Sequence, residues 1–340
     1  MEKEDRLKPV WRATPTPRHV VIAGGGGFIG TNLTRRLLQD GYRVTVLENY
    51  YSCAPGNLQE LMQHPAFTLR SHDITESVVA LDLGEVDEVY NLACPASPPH
   101  YQRDPIFTLN TCFNGTRHLL DLAVRENARY VQASTSEVYG DPQVHPQPES
   151  YWGYVNPVGI RACYDEGKRV AEALCVEYAR QFGVDVRIAR IFNTYGPHMD
   201  PNDGRVVSNF IVQALRGQDL TVYGNGLQTR SFCFVDDMIA GLRALMQVAD
   251  APNGPVNLGN PAEFTMLELA ELVLELVPSR GRLLHEPLPQ DDPQRRRPDI
   301  SRARALLGWQ PEVSLQQGLA KTVQYFDGRL RAEMALATQG

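Results

Sequence analysis

The sequence predicts an α/β protein: a doubly wound parallel sheet with a smaller interleaved α/β lobe. Three observations predict it. A glycine-rich turn joins a short apolar run to an amphipathic stretch near the start. Strand-like and helix-like segments alternate as far as about Pro197. Beyond that point the alternation becomes irregular and the loops lengthen.

Residues 19 to 23, His-Val-Val-Ile-Ala, form a run short and apolar enough for a strand buried on both faces. Four glycines follow, then an amphipathic helix stopped at Gly41 and a second strand, Arg43 to Asn49. Gly24, Gly27 and Gly30 keep the spacing at which the turn is tight, the backbone can approach a pyrophosphate, and the helix packs close to the strand. Glu48 closes the second strand at about the twenty-residue distance where a carboxylate accepts from both ribose hydroxyls. The set is that of a Rossmann dinucleotide unit, and a carboxylate there repels a 2′-phosphate, so NAD is favoured over NADP.

Residues 67 to 74 and 86 to 93 read as the third and fourth strands, with a short helix between them. Asp73 stands where an adenine edge would lie, or else caps that helix through its Asp-x-x-Glu relation to Glu76. The proline-rich stretch 95 to 105 reads as loop, 106 to 127 as helix and 129 to 133 as strand. Ser134, Thr135, Ser136 and Glu137 then emerge at a strand's carboxyl end, where open α/β sheets bind ligands. A helix over 163 to 182 carries Tyr164 and Lys168 four apart, on one face. An ammonium beside a phenol favours the phenolate, lowering a pKa of about 10 toward working pH, so Tyr164 could take a proton from a sugar hydroxyl. That spacing alone also suits two surface residues of a helix and gains weight only from what precedes it.

The strand 184 to 192 ends in Asn-Thr-Tyr-Gly-Pro. Afterwards the pattern predicts helices at 206 to 216, 265 to 277 and 314 to 326, strands at 220 to 223 and 256 to 259, and a strand-to-helix passage over 231 to 247. The organisation expected is a flexible leader over 1 to 17, a dinucleotide-binding unit over 18 to 195 with a return segment at about 231 to 258, and a substrate lobe over 196 to 328. The cations of the second half are Arg190, Arg205, Arg230 and the run Arg295 to Arg297. Glycines beside Arg230 free the backbone as a diphosphate clamp would need, although any single arginine also suits a surface ion pair. Together they favour a sugar substrate bearing a diphosphate.

Composition narrows the classes. With 33 basic and 40 acidic residues, a net charge of −7, and no basic tract beyond Arg295 to Arg297, nucleic acid is excluded as the expected partner. Six cysteines without a Cys-x-x-Cys pair, and no histidine cluster, predict reduced thiols and no metal site. No apolar run nears a membrane span and the first 17 residues are not signal-like, so a cytoplasmic protein is expected.

Longer stretches carry a resemblance. They are Gly-Gly-Phe-Ile-Gly (26 to 30), Cys-Pro-Ala-Ser-Pro-Pro-His-Tyr (94 to 101), Ser-Thr-Ser-Glu-Val-Tyr-Gly-Asp-Pro (134 to 142), Tyr-Trp-Gly (151 to 153), Arg-Ala-Cys-Tyr-Asp-Glu-Gly-Lys-Arg (161 to 169), Arg-Ile-Phe-Asn-Thr-Tyr-Gly-Pro (190 to 197), Asn-Asp-Gly-Arg-Val-Val-Ser-Asn-Phe (202 to 210), and Asp-Asp-Pro with Arg-Arg-Pro-Asp-Ile within 291 to 300. From about residue 19 to about residue 326 the chain resembles the UDP-glucuronate decarboxylases (UDP-xylose synthases) of the extended short-chain dehydrogenase/reductase superfamily.

The resemblance implies oxidation of UDP-glucuronate at C4, loss of CO2 from C5 and re-reduction at C4. It makes Tyr164 the acid/base at C4, has Lys168 hold the nicotinamide ribose and tune Tyr164, and sets Thr135 at O4. It puts Ser136 and Glu137 beside C5 and the carboxylate, and Arg296 against the carboxylate or in support of protonation. Tyr101, Asn193 and Arg230 would bind substrate. Phe28, Ile29, Asn49, Ile74, Leu92, Thr111, Thr194 and Arg205 would line the NAD site with the glycines, Glu48 and Asp73. Helices 106 to 127 and 163 to 182 would form a homodimer.

Other readings share the fold: an oxidative decarboxylase releasing a 4-keto pentose and NADH, a 4,6-dehydratase, and a silent NAD-binding regulator. Dehydratases carry Asp where Ser136 stands, because expelling a hydroxyl needs an acid. A silent regulator often loses Tyr or Lys of the pair, and both remain here. The chain departs from the family pattern at Glu48 (usually Asp), Asn110 (usually Lys), Cys112 (usually Asn) and His198 (commonly Arg). The loss of Lys at 110 would weaken substrate binding, and the loss of Asn at 112 would disturb a proton relay.

Overall fold

The computed structural model describes residues 17–250, 252, 254–279, 281–287 and 295–337. Nearly all of the expected leader, and the Asp-Asp-Pro stretch near 291, lie outside the described residues.

The first unit follows its apolar pattern. Strand β1 (His19–Ala23) runs into α1 (Phe28–Gln39), then β2 (Arg43–Glu48), a 3₁₀ turn (Pro55–Leu61), β3 (Phe67–Ser71) and β4 (Glu88–Asn91). Helices α2 (Pro98–Arg103) and α3 (Pro105–Asn110) come next, then a π turn (Thr111–Gly115) leading into α4 (Thr116–Glu126). Strand β5 (Arg129–Thr135), a 3₁₀ turn (Ser136–Tyr139), α5 (Ala162–Phe182) and β6 (Val186–Ile191) complete the stretch.

The rest contains β7 (Thr194–Tyr195), α6 (Val206–Leu215), β8 (Leu220–Tyr223), β9 (Thr229–Ser231), β10 (Cys233–Phe234), α7 (Val235–Gln247) and β11 (Val256–Leu258). These are followed by β12 (Glu263–Thr265), α8 (Met266–Leu276), β13 (Leu283–Glu286), β14 (Arg295–Arg296), α9 (Ser301–Leu307) and α10 (Leu315–Ala337).

Among the described residues, seven strands form one parallel sheet in the order β11-β6-β5-β4-β1-β2-β3. Its order reverses between β1 and β4, which opens a crevice at the carboxyl ends of those strands. Side chains alternate between two apolar clusters, as the two-residue period of a doubly covered strand requires. Val20 and Ile22 face α1 and α7, whereas Val21 and Ala23 face α4 and α5. The first cluster continues through Phe210, Leu220, Leu269, Leu319 and Phe326, so the smaller lobe shares a core with one face of the sheet. That lobe carries two small sheets, β12-β9-β14 and β13-β8. The pairing of β14 with β9 sets Arg296 beside Arg230.

Several expectations are corrected. No helix stands between β3 and β4: Asp73 folds back on the Thr75 amide and hydroxyl, both at 2.8 Å, and the β-branched pair Val78 and Val79 follows. Asp73 is therefore a turn residue and not a helix cap. The 95 to 105 stretch is not all loop, because Pro98 and Pro99 occupy the first helical positions of α2, where a missing N–H costs nothing. The helix expected over 106 to 127 begins at Pro105, capped by Asp104 on the Phe107 amide at 2.9 Å, and is interrupted by the π turn. The last helix runs on to Ala337.

Candidate active site

The residues expected to bind NAD or substrate or to act in catalysis line one cleft with two joined compartments, whose shared wall includes Gly24, Gly27, Leu92 and Cys94, whereas Arg190, Arg295 and Arg297 of the expected cations do not. The smaller compartment lies over the ends of β1, β2 and β4, with Glu48, Asn49, Asp73, Ile74 and Thr111 around it. The larger one runs from Phe28, Ile29 and Gly30 past Tyr101, Thr135, Ser136, Glu137, Tyr164 and Lys168 to the second lobe, where Asn193, Thr194, Arg205, Arg230 and Arg296 face it.

The glycine turn fits a pyrophosphate. Gly24 has φ +75°, and a Cβ there would lie 2.7 Å from Ala93 Cα. A Cβ on Gly30 would lie 2.2 Å from the Gly24 carbonyl oxygen, so the helix start packs directly on the turn. Gly27 heads α1 without a side-chain cap, which leaves the first helical amides to meet an anion. Glu48 does more than the sequence suggested. Its Oε2 accepts from the Gly26 amide at 3.0 Å, and its Oε1 accepts from Asn49 and Tyr50 amides at 2.9 and 2.8 Å. The carboxylate thus ties the ribose edge to the phosphate turn and retains limited acceptor capacity for a sugar hydroxyl. Asn49 Nδ2 donates to Asp73 at 2.9 Å along the same rim.

The catalytic side is built from β5 and α5. Thr135 ends β5 and accepts from the Glu137 amide at 3.2 Å, turning the chain so that Ser136 and Glu137 reach the cleft. Tyr164 stands in the first turn of α5 and Lys168 one turn on. Lys168 Nζ donates to the Ala133 carbonyl at 2.9 Å and lies 5.9 Å from the centre of the Tyr164 ring. Burial pushes the Tyr164 phenol well above its ordinary range, nearby Cys94 adds to this, and the Thr135 hydrogen bond opposes it. The expected depression of Tyr164 is therefore not a property of the cleft by itself, where desolvation dominates and Lys168 is engaged with the backbone. Tyr101 lies parallel to Tyr164, ring centres 5.1 Å apart, and its buried hydroxyl has no hydrogen-bond partner among the described residues.

Glu137 is gripped by two guanidiniums. Arg296 binds both its oxygens, Nη2 at 2.9 Å, and Arg161 Nη2 binds Oε2 at 2.5 Å. Burial disfavours the carboxylate, yet the arginines prevail and hold its pKa at about 2. Asp165 behind them is driven up to about 7 by burial and by the Glu137 charge, against the pull of both arginines. Arg205 pairs with Asp203, Nη2 to Oδ2 at 2.8 Å. Arg190, expected among the substrate cations, is instead committed to Glu172 at 2.7 and 2.9 Å and to the Tyr139 hydroxyl at 3.0 Å. Arg297 turns toward Glu263 at 3.6 Å.

Comparison with known proteins decides the family. The GDP-mannose 4,6 dehydratase family model matches residues 21–322. UDP-glucuronic acid decarboxylase 1 of Danio rerio is 55% identical over 313 residues, covering 92% of this chain and 73% of that protein. UDP-glucuronic acid decarboxylase 3 of Arabidopsis thaliana is 51% identical over 339 residues and 97% of each chain. The chain belongs to the UDP-glucuronic acid decarboxylase family. Among solved structures, UDP-glucuronic acid 4-epimerase from Bacillus cereus, in complex with UDP-glucuronic acid and NAD, superposes with a TM-score of 0.84 at 26% identity, covering 92% of this chain and 99% of that one. UDP-glucose 4-epimerase from Thermotoga maritima, with UDP-glucose, gives the same score and coverage at 28% identity.

The departures from the decarboxylase family pattern now have positions. Asn110 is exposed and accepts from Asn114 on its own helix, away from the cleft lining. His198 packs against Tyr325 at 5.0 Å, with its pKa lowered to about 4 by burial and by Arg35. Cys112 is buried against Cys94. Sequence reasoning passed over Arg161 as a site residue, although it stands three residues before Tyr164, one turn away on the same face. It also missed Tyr51 and Phe107, which line the smaller compartment with ring centres 4.5 Å apart. Their contact joins residues more than fifty positions apart, and no local pattern signals it.

Among the described residues no helix is long and apolar enough to cross a membrane, and no cluster of His, Cys, Asp and Glu could hold a metal.

Proposed function

We propose that this chain converts UDP-glucuronate to UDP-xylose and CO2, with NAD running from the smaller compartment, at its adenosine half, into the larger one. The glycine turn, the amides heading α1, Glu48, Asn49 and Asp73 would hold the dinucleotide. Lys168, Thr111, Thr194 and Arg205 would lie toward its nicotinamide half. When bound, NAD+ supplies a hydride acceptor at the sugar's C4 and later the donor.

The observation that carries the reading is the Arg161–Glu137–Arg296 clamp beside Tyr164. Two guanidiniums converge on one carboxylate at the cleft wall, donors of the kind that bind a substrate carboxylate. Tyr164, bonded to Thr135, is set to exchange a proton with the C4 hydroxyl. With C4 a ketone, the C5 carboxylate lies β to it, and CO2 leaves with its bonding electrons delocalised as an enolate over C5, C4 and O4. A proton then adds to C5. The Arg161–Arg296 pair would hold the departing carboxylate, and Asn193 and Arg230 the diphosphate. Glu137, held ionised at about 2, cannot serve as the acid that a 4,6-dehydration needs, and Ser136 supplies none.

We read residues 18 to 195, with 231 to 258, as the dinucleotide unit and 196 to 328 as the substrate lobe. A homodimer through the 105–126 and 162–182 helices is proposed on the exposed Ile106, Leu109 and Phe113. A reducing compartment such as the cytoplasm suits the six free cysteines. The test is product analysis after mixing protein, NAD+ and UDP-glucuronate. UDP-xylose without accumulating NADH supports the reading. Stoichiometric NADH with a 4-keto pentose, or absence of CO2 release, refutes it.

A further inference from the structure

Three thiols from separate segments meet under the Tyr101–Tyr164 stack. Cys94 belongs to the irregular turn after β4, Cys112 to the π turn, and Cys163 to the start of α5. Cys94 Sγ and Cys112 Sγ are 3.4 Å apart and unbridged. Cys163 instead donates to the Tyr101 carbonyl at 3.6 Å. Cys94 is half-buried and lines both compartments of the cleft, so a small oxidant can reach it from solvent. Cys112 is fully buried behind it, and a Cβ on Gly167 would lie 3.0 Å from its sulfur. The pair is therefore ordered as an accessible attacking thiol and an enclosed resolving thiol.

We infer that Cys94 and Cys112 form a reversible modification site, closed to a disulfide by low-molecular-weight disulfides and reopened by thiols, and that closure disables the cleft. The electrostatics favour Cys94 as the nucleophile. Burial resists its ionisation, but the Cys112 hydrogen bond and the Lys168 ammonium bring its pKa below the ordinary thiol range, while that of Cys112 is pushed well up. Cys94 thiolate attacks one sulfur of oxidised glutathione, forming a mixed disulfide and expelling one glutathione thiolate. Cys112, losing its proton, attacks the Cys94 sulfur and expels the second. Two electrons pass from the pair to the glutathione disulfide, and two protons are released to the glutathione thiolates.

The structural consequence follows from distance. A disulfide requires about 2.05 Å between sulfurs, so the pair must close by about 1.4 Å. Cys112, within the π turn, is packed against Gly167 of α5, which leaves Cys94 and its turn to move. That turn also carries Ala93, against which Gly24 packs, and Cys94 itself packs against Tyr101 and Tyr164. Closure therefore displaces the wall of the dinucleotide compartment and the support of the catalytic phenol together. Displacements of about 1 Å near reacting groups cost on the order of a hundredfold in rate.

The experiment treats the purified reduced protein with oxidised glutathione, blocks remaining thiols with N-ethylmaleimide, and maps peptides by mass spectrometry. The expected result is a Cys94–Cys112 cross-linked peptide two hydrogens lighter than the reduced pair. It forms in step with loss of turnover by at least about tenfold, and dithiothreitol reverses both. Glutathione remaining on Cys94 with Cys112 blocked by maleimide, no cross-link at all, or a cross-linked protein of undiminished turnover would each overturn the inference. Cys112→Ser checks specificity: it should yield no cross-link, and a Cys94-to-Cys163 bridge in its place would also count against the pair. The peptide map does not depend on the proposed reaction, so failure of that reaction and failure of this inference are distinguishable.

Discussion

Arg296, on β14 of the smaller lobe, holds Glu137, on the turn after β5, with Nη2 2.9 Å from Oε2. This contact spans the cleft and ties the smaller lobe to the turn after β5. Without Arg296, Glu137 would keep only Arg161, and the side of the cleft facing the smaller lobe would lose a cation. Arg296→Gln should therefore lower kcat/KM for UDP-glucuronate on the order of a hundredfold, measured by product formation. A variant with wild-type kcat/KM would remove the pair from the account.

The same pair sets a pH dependence. Glu137 is held at about 2 in the folded protein, below the value of about 4.3 for a free glutamate. A depressed carboxylate stabilises the fold fully above its unfolded pKa, and that contribution is lost as pH falls toward 2. In Arg296→Gln the folded pKa rises, so less is gained above 4.3 and acid unfolding should begin at higher pH. Circular dichroism during acid titration of both proteins checks the direction.

Tyr164→Phe should bind UDP-glucuronate and reduce turnover on the order of a hundredfold or more, since it removes the group proposed as proton acceptor at C4. Lys168→Met is more informative. Loss of the ammonium removes a charge favouring the phenolate, so the pH at which turnover reaches half its maximum should move upward, with partial recovery in alkali. An equal loss at every pH would make Lys168 a packing residue that holds the Ala133 carbonyl.

Gly24→Ala places a Cβ 2.7 Å from Ala93 Cα at a φ of +75°. Left-handed backbone costs a residue bearing a Cβ roughly 1–2 kcal/mol before any clash with the neighbouring strand end is counted. Thermal unfolding should show a lower midpoint, and isothermal titration a weaker affinity for NAD. An unchanged midpoint would mean that the turn has room the geometry denies.

Much of this was legible in the sequence because the large sheet is written in local pattern. Strand β1 is an apolar run buried on both faces, β2 carries Val44, Val46 and Leu47 in its buried stretch, and Gly24, Gly27 and Gly30 announce the turn. The smaller lobe was harder to read, since β7, β9, β10, β12 and β14 are two or three residues long and exist only through pairing with distant segments. Proline misled at α2, where Pro98 and Pro99 start a helix instead of preventing one. The expected binding and catalytic residues reached the cleft, but their couplings were hidden: Arg161, 24 positions away, and Arg296, 159 positions away, meet on Glu137. Arg190 has the same side-chain chemistry and is consumed by Glu172. The phenol of Tyr164 shows the limit of spacing arguments, because burial, a tertiary property, sets the direction of its shift whatever stands one turn away.

The central claim is that hydride leaves C4 and returns to the same carbon while C5 loses CO2. UDP-glucuronate deuterated at C4, incubated with the protein and NAD+ in ordinary water, tests this most directly when the product is read by NMR. The expected product is UDP-xylose that retains deuterium at C4 and carries only solvent-derived hydrogen at the second C5 position. Deuterium appearing in free NADH, with an unlabelled or 4-keto product, would contradict it.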